Sequence, residues 1–363
     1  MSVHSRFKVL WLAGGVLLLT VLAAPLAAAA EETYWQGRRG QIWNHGIDRS
    51  TGLSNWYTSP TGDIVRNTPR PRAEAIFAEG AQEDNIRVTG YYVGIGSMRV
   101  KTSDNGFRFQ IEPVVFTITG DGIINEDLTG PPQFTIHGGS VLMMRHGSSF
   151  QSVKNAPGIR LKVRQTGVLR FTENADGGNA EVTNFGGTVD FNNTATAGSM
   201  KITNRSQASS FVSRLRFYGN SDAGRAEVIN GENALVDFAT STGSTGLGIV
   251  NAKKIVNHGE LTLGTNLLKI APGRNSLRYG FEQGTSGRLW LDSSAAKNGR
   301  IRVLGTAKIA GRLDALGFWQ LPPGIYNLIH AQGGLSGKFS DVNAFGGRIE
   351  YTPQSVLFVV ETP

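Results

Sequence analysis

The sequence predicts an all-β chain wound as a right-handed parallel β-helix, a solenoid with an N-terminal cap and a C-terminal hairpin cap. Three observations predict it. The 363 residues include 47 glycines, and almost no apolar stripe of helical period follows residue 31, which is the text of short strands and many turns. Two short strand phrases recur every 20 to 27 residues, the period of a coil that stacks on its neighbours. The charges at equivalent positions of successive phrases alternate in sign.

The first phrase reads Leu169-Arg170-Phe171, Val189-Asp190-Phe191, Leu215-Arg216-Phe217 and Val236-Asp237-Phe238, with Leu261-Thr262-Leu263 as a fifth rung. Strand side chains alternate, so the apolar pair points into the coil and the middle residue points out. The second phrase ends on Asn184, Asn204, Asn230 and Asn257, which are expected to form a structural ladder as stacked Asn side chains do. From Phe to the following Asn the distance is 13 residues three times (171 to 184, 191 to 204, 217 to 230) and longer the fourth time (238 to 257), whereas the return varies from 6 to 13. One arc is therefore fixed by stacking and the other accepts insertions such as Arg205 to Arg214.

The outward positions run Arg170, Asp190, Arg216, Asp237 in one phrase and Glu181, Lys201, Glu227, Lys254 in the other. Neighbouring strands lie ~4.8 Å apart, where like charges repel and opposite charges attract. As exposed pairs they are expected to contribute ~0–1 kcal/mol each and mainly to oppose slipped register.

Residues 1–30 read as a signal peptide: a basic start (Arg6, Lys8), an apolar run, and Ala28-Ala29-Ala30 as a cleavage site. Its two cations removed, 34 Lys and Arg of the original 36 face 28 acids, an excess of six that suits an anionic surface without specifying one. No cysteine is present, so burial and backbone hydrogen bonds must hold an exported chain together. Residues 31–88 form the Trp-rich cap and first coils, 89–316 the repeats, and 317–363 the C-terminal capping region. Trp35, Trp43 and Trp56, and Phe318-Trp319 at the other end, are expected to cover exposed core rather than to stack on sugars.

The phrases "GDGIINEDLTGPPQFTIHGGSVLM" and "LRFTENADGGNAEVTNFGGTVDFNNTATAGSMKITN" resemble the repeats of bacterial autotransporter passenger domains, with Ala197-Gly198 and Ala223-Gly224 in the family's Ala-Gly slot and Gly177-Gly178 replacing it once. The opening "YWQGRRGQIWNHGIDRSTGLSNWYTSPTGDI" and the closing "GIYNLIHAQGGLSGKFSDVNAFGGRIEYTPQSVLFVV" resemble the start and the folding-promoting end of such passengers. The resemblance implies a surface-exposed or secreted β-helix, is specific for architecture and is almost silent on activity; adhesion or rigid structural display without catalysis is the expected role, at the cell surface, beyond it or in the periplasm. Members of the family continue into an outer-membrane barrel, whose strand text the 363 residues lack, so a detached passenger with a separately encoded barrel as partner, a truncated product and a free-standing secreted solenoid are the alternatives.

No catalytic constellation emerges. The chain has no Asp-Asp pair and no Asp-x-Asp, and the repeat-borne carboxylates already have cationic neighbours. His45, His137, His146, His258 and His330 are dispersed without metal-ligand spacing. Asp121, Glu126 and Asp127 are expected to mark a turn rather than a calcium site, and Gly333 to Phe339 a turn before a strand rather than a phosphate loop. No cofactor, metal or nucleic acid is expected. The one candidate ligand site is a cationic strip, Arg160, Lys162 and Arg164 on one face of a strand, suited to a polyanion such as polysaccharide. A polysaccharide-binding or polysaccharide-degrading enzyme on the same fold is the competing reading.

Overall fold

The computed structural model describes residues 31–43, 54–59, 69, 72–101, 106–206, 210–273, 279–292 and 300–361. The expected signal peptide and His45 lie outside them, as does the side chain of Trp319. The chain is a parallel β-solenoid of about 10 turns, the low end of what the repeat spacing suggests. A fifteen-stranded first sheet runs from Trp56–Tyr57 to Asp341–Asn343, and an eleven-stranded second sheet from Asn85–Val88 to Leu335–Gly337. A six-stranded third sheet begins only at Ile249–Ala252.

One coil shows how the sequence makes this shape. Thr188–Phe191 lies in the first sheet, a turn through Thr196 forms the third side, and Lys201–Arg205 lies in the second sheet. In these middle coils the third side is one bridge deep, Ser149 to Asp176 to Thr196 to Asp222. The turn is tied by side chains: Gly178 N–H donates to Asp176 Oδ1 (2.7 Å), Gly198 N–H to Thr196 Oγ1 (3.1 Å) and Gly224 N–H to Asp222 Oδ1 (3.2 Å). The second glycine of the slot sits at φ near +60° at all three places, and at Gly178 a Cβ would run into the Phe150 carbonyl.

Register holds residue for residue. Phe171 pairs with Phe191 and Phe191 with Phe217, and their rings stack with centroids 4.6 and 4.9 Å apart. Phe238 continues the pile at 4.7 Å, and every one of these rings is fully buried. Opposite them Asn184, Asn204, Asn230 and Asn257 are buried to 0% exposure and joined Nδ2 to Oδ1 at 2.8, 2.9 and 2.7 Å. A fifth amide, Gln283, extends the row by accepting from Asn257 at 2.9 Å. The Nδ2 groups also donate to carbonyls at the corner, among them Gly187, Leu235 and Ala234, so the ladder satisfies backbone groups that the turn leaves over.

At the first end Trp35, Trp43 and Trp56 are at most 1% exposed and pack on Phe77 and on one another, with Trp43 and Trp56 centroids 4.7 Å apart. No ring face there is free for a sugar. At the other end Gly324–Ala331 is followed by the antiparallel pair Arg348–Tyr351 and Ser355–Val360, two strands joined through Thr352-Pro353. Val356 and Phe358 are buried, and Phe358 packs against Phe318 at 4.9 Å. Gly333 and Gly334 do precede a strand, Leu335–Gly337.

The amide ladder predicts an asymmetry between two residues of one strand. Asn204→Ala orphans Asn230 Oδ1 and removes a partner of Asn184, at on the order of 1–3 kcal/mol for each buried group left unpaired. Thermal unfolding should fall well below that of Thr203→Ala, whose side chain faces outward; equal effects would remove the ladder as a structural element.

Candidate functional site

The outward faces of the two long sheets are where ligands could meet the solenoid, and most of their charges are already committed. Arg170, Asp190, Arg216 and Asp237 are register partners in turn, as are Glu181, Lys201, Glu227 and Lys254. Arg160 pairs with Glu181 and so begins the second ladder one rung earlier. Lys201 Nζ lies 3.3 Å from Glu181, while Glu227 takes Lys253 at 2.6 Å rather than its register partner Lys254. The Lys253 ammonium, outweighing burial, holds the Glu227 carboxyl below its usual range.

One rung departs from the expectation of exposed pairs. The Asp190 side chain is only 3% exposed, because Arg170 (3.3 Å) and Arg216 (2.9 Å) fold over it from the coils before and after. Asp314 repeats the arrangement: fully buried, it accepts from Arg288 at 2.6 Å, from Arg312 at 2.9 Å and from Asn343 at 3.2 Å. Burial raises its pKa, but these donors outweigh it and bring the carboxyl from 3.8 to about 2.

Arg160, Lys162 and Arg164 do share one exposed outward face at strand Arg160–Val163. Arg160 lies 3.7 Å from Glu181, and Lys162 stands 5.1 Å from the centroid of the Phe185 ring, which Arg205 also covers at 4.4 Å. The four described histidines lie on separate coils. His137 contacts Gln110 at 2.7 Å, and burial pushes its imidazole below the usual range. His146 pairs with Glu173, which Arg145 also holds, and His330 contacts Ser355 Oγ at 3.1 Å. Asp127 accepts from Thr129 and Gly130 in a turn, Glu126 pairs with Arg99, and Asp121 sits within the strand Val115–Asn125. No group of three metal-ligating side chains occurs among the described residues.

Sequence reasoning did not anticipate a corner cavity of about 460 Å³ between the second and first sheets. Its walls include Glu232, His258, Glu260, Ser286 and Arg288. Val212, at the end of the long return arc, also lines it. Arg288 is drawn toward Asp314 and stacks on Trp290 with its guanidinium 3.8 Å from the ring centroid.

Two expected outcomes follow from the clamped carboxylates. Asp190→Asn should cost about 1.5–3 kcal/mol, and 1 M NaCl should not restore it, since a buried pair is little screened. Lys201→Gln should leave the melting temperature close to the parent's. Asp314 has its pKa depressed in the folded state, so its contribution is complete above about pH 4 and is lost as pH falls through about 2. Asp314→Asn should therefore flatten the acid limb of the stability profile by about 1–2 kcal/mol, discounted for the solvent at its arginines.

No family model, no curated protein and no solved structure matches the chain, so the likeness to autotransporter passengers rests on its repeat text and its solenoid.

Proposed function

We propose that this chain is an exported, passenger-like right-handed β-helix at the cell surface or beyond it, acting in adhesion or as a rigid display scaffold without catalysis. The supporting observation is the state of its outward side chains. Across the two long sheets the charges of neighbouring coils neutralise one another, and Asp190 and Asp314 lie beneath arginines where no substrate reaches them. A surface of this kind maintains shape and solubility. In this reading the Trp cluster and the C-terminal hairpin seal the two ends, which would otherwise offer unpaired strand edges for aggregation.

The corner cavity supports a second reading. Glu232, Glu260 and His258 line one depression, and paired carboxylates flanking a glycosidic bond are what a polysaccharide hydrolase requires. One experiment separates the two. The purified protein is incubated with neutral and acidic polysaccharides, and both co-sedimentation and new chain ends are measured. Retention with polymer length unchanged is expected. New reducing or unsaturated ends that disappear in Glu260→Gln would replace the scaffold reading with the enzymatic one.

A further inference from the structure

Where the first sheet opposes two cations, Arg288 and Arg312, Asp314 holds both; the third sheet opposes cations without such a carboxylate among the described residues. Its outward column runs Asn251, Lys269, Arg302 and His330 on successive rungs. Arg300, register partner of Leu267, stands beside it. Two cations are thus directly opposed at ~4.8 Å, an arrangement that destabilises a sheet unless something else neutralises it. Among the described residues no carboxylate pairs with Lys269, Arg300 or Arg302, while Asp190, Glu181 and Asp314 each hold two cations.

The acids that could reach this face are committed elsewhere. Asp222 accepts from Asn251 at 2.6 Å through both carboxylate oxygens, Glu282 holds Lys308, and Glu350 holds Arg348. Asp292 ends a first-sheet strand and has an interaction of its own.

A cavity of about 330 Å³ opens between the two cations. Asn251, Lys269 and Arg302 supply its polar wall, and Ile270, Ala271 and the half-exposed Leu304 its apolar one. Cations on one side and aliphatic surface on the other match a sugar ring that carries an acidic substituent. The rung spacing repeats at about the length of one sugar residue, so Lys269, Arg302 and His330 can meet successive units of a chain. The cavity wall is aliphatic, without the aromatic platform on which the bases of single-stranded nucleic acid stack.

We propose that the outward face of the third sheet is a binding site for an acidic polysaccharide, held through its carboxylate or sulfate groups by Lys269 and Arg302 and seated against Leu304. The site gives the adhesive reading a ligand class and rests on that reading for the export that would bring this face to such a polymer.

The full-length protein is titrated by fluorescence anisotropy with a labelled oligogalacturonate and, separately, with a sulfated oligosaccharide of equal length, which tells the two acid groups apart. Binding to at least one is expected, weakening as salt rises. The double variant Lys269→Gln/Arg302→Gln should lose at least tenfold in affinity, and Lys269→Arg/Arg302→Lys should retain it. The triple variant Arg160→Gln/Lys162→Gln/Arg164→Gln should bind within twofold of the parent. The double variant should also melt no lower than the parent at low salt, since a like-charge contact is relieved. Unchanged affinity in the double variant, a lower melting temperature, or loss confined to the triple variant would overturn the proposal. So would tighter binding of single-stranded DNA or of anionic vesicles, or no binding at all. Each of these leaves the question of polymer cleavage to its own assay, so failure here and failure of the scaffold reading are distinguishable.

Discussion

In-register parallel stacking is the constraint on which the rest of this molecule depends. Once Val189 lies over Leu169 and Leu215 over Val189, every residue of a coil meets its equivalent at one strand spacing. Each position must then be occupied by a side chain that tolerates a near copy of itself. Aromatic rings meet that demand by stacking, amides by donating one way and accepting the other, and charges only by alternating or by sharing a counter-ion. The composition of each column follows from which of these solutions its side chain permits.

The amide column and the aromatic column fix opposite walls of the coil, and in the middle coils the arc between them is constant in length. Between Phe171 and Asn184 the chain rounds the third side with a turn held by Asp176 and Gly178, whereas between Phe238 and Asn257 the arc is longer and includes the strand Ile249–Ala252. Between Asn204 and Phe217 the constraint is local. Ser213 is fully buried and its Oγ donates to the Arg205 carbonyl at 2.7 Å, closing the excursion at its base. Val212, just before it, lines the corner cavity. Variable length on this side is how a rigid solenoid acquires relief on its surface.

The legible parts of the fold were those in which identity repeats. Asn184 to Asn257 could be aligned by eye because the amide itself recurs, and the ladder charges because their signs alternate. Gln283 was not legible, since the residue type changes there and the longer step from Phe238 to Asn257 breaks the count. Asp314 in "GRLDAL" carries the same middle position as Asp190 in "GTVDF", but no flanking Phe marks the phrase there. The third side left no strand pattern in the middle coils, where single bridges join Ser149, Asp176, Thr196 and Asp222 in turn. The burial of Asp190 comes from long arginines of adjacent coils, which a single phrase cannot reveal. The corner and third-sheet cavities depend on side chains from several coils and had no linear signal.

The amide row also has a direction. Asn184 donates to Asn204, Asn204 to Asn230, Asn230 to Asn257 and Asn257 to Gln283, where the buried Nε2 finds no acceptor among the described residues. Each amide is polarised by the one before it, so the bonds strengthen one another along the axis. No single member can rotate by half a turn without setting donor against donor on one side and acceptor against acceptor on the other. Five residues, each up to 27 positions from the next in sequence, are therefore bound to a shared orientation, and the interior carries a polarity like that of a ratchet: the row can reverse only as a whole.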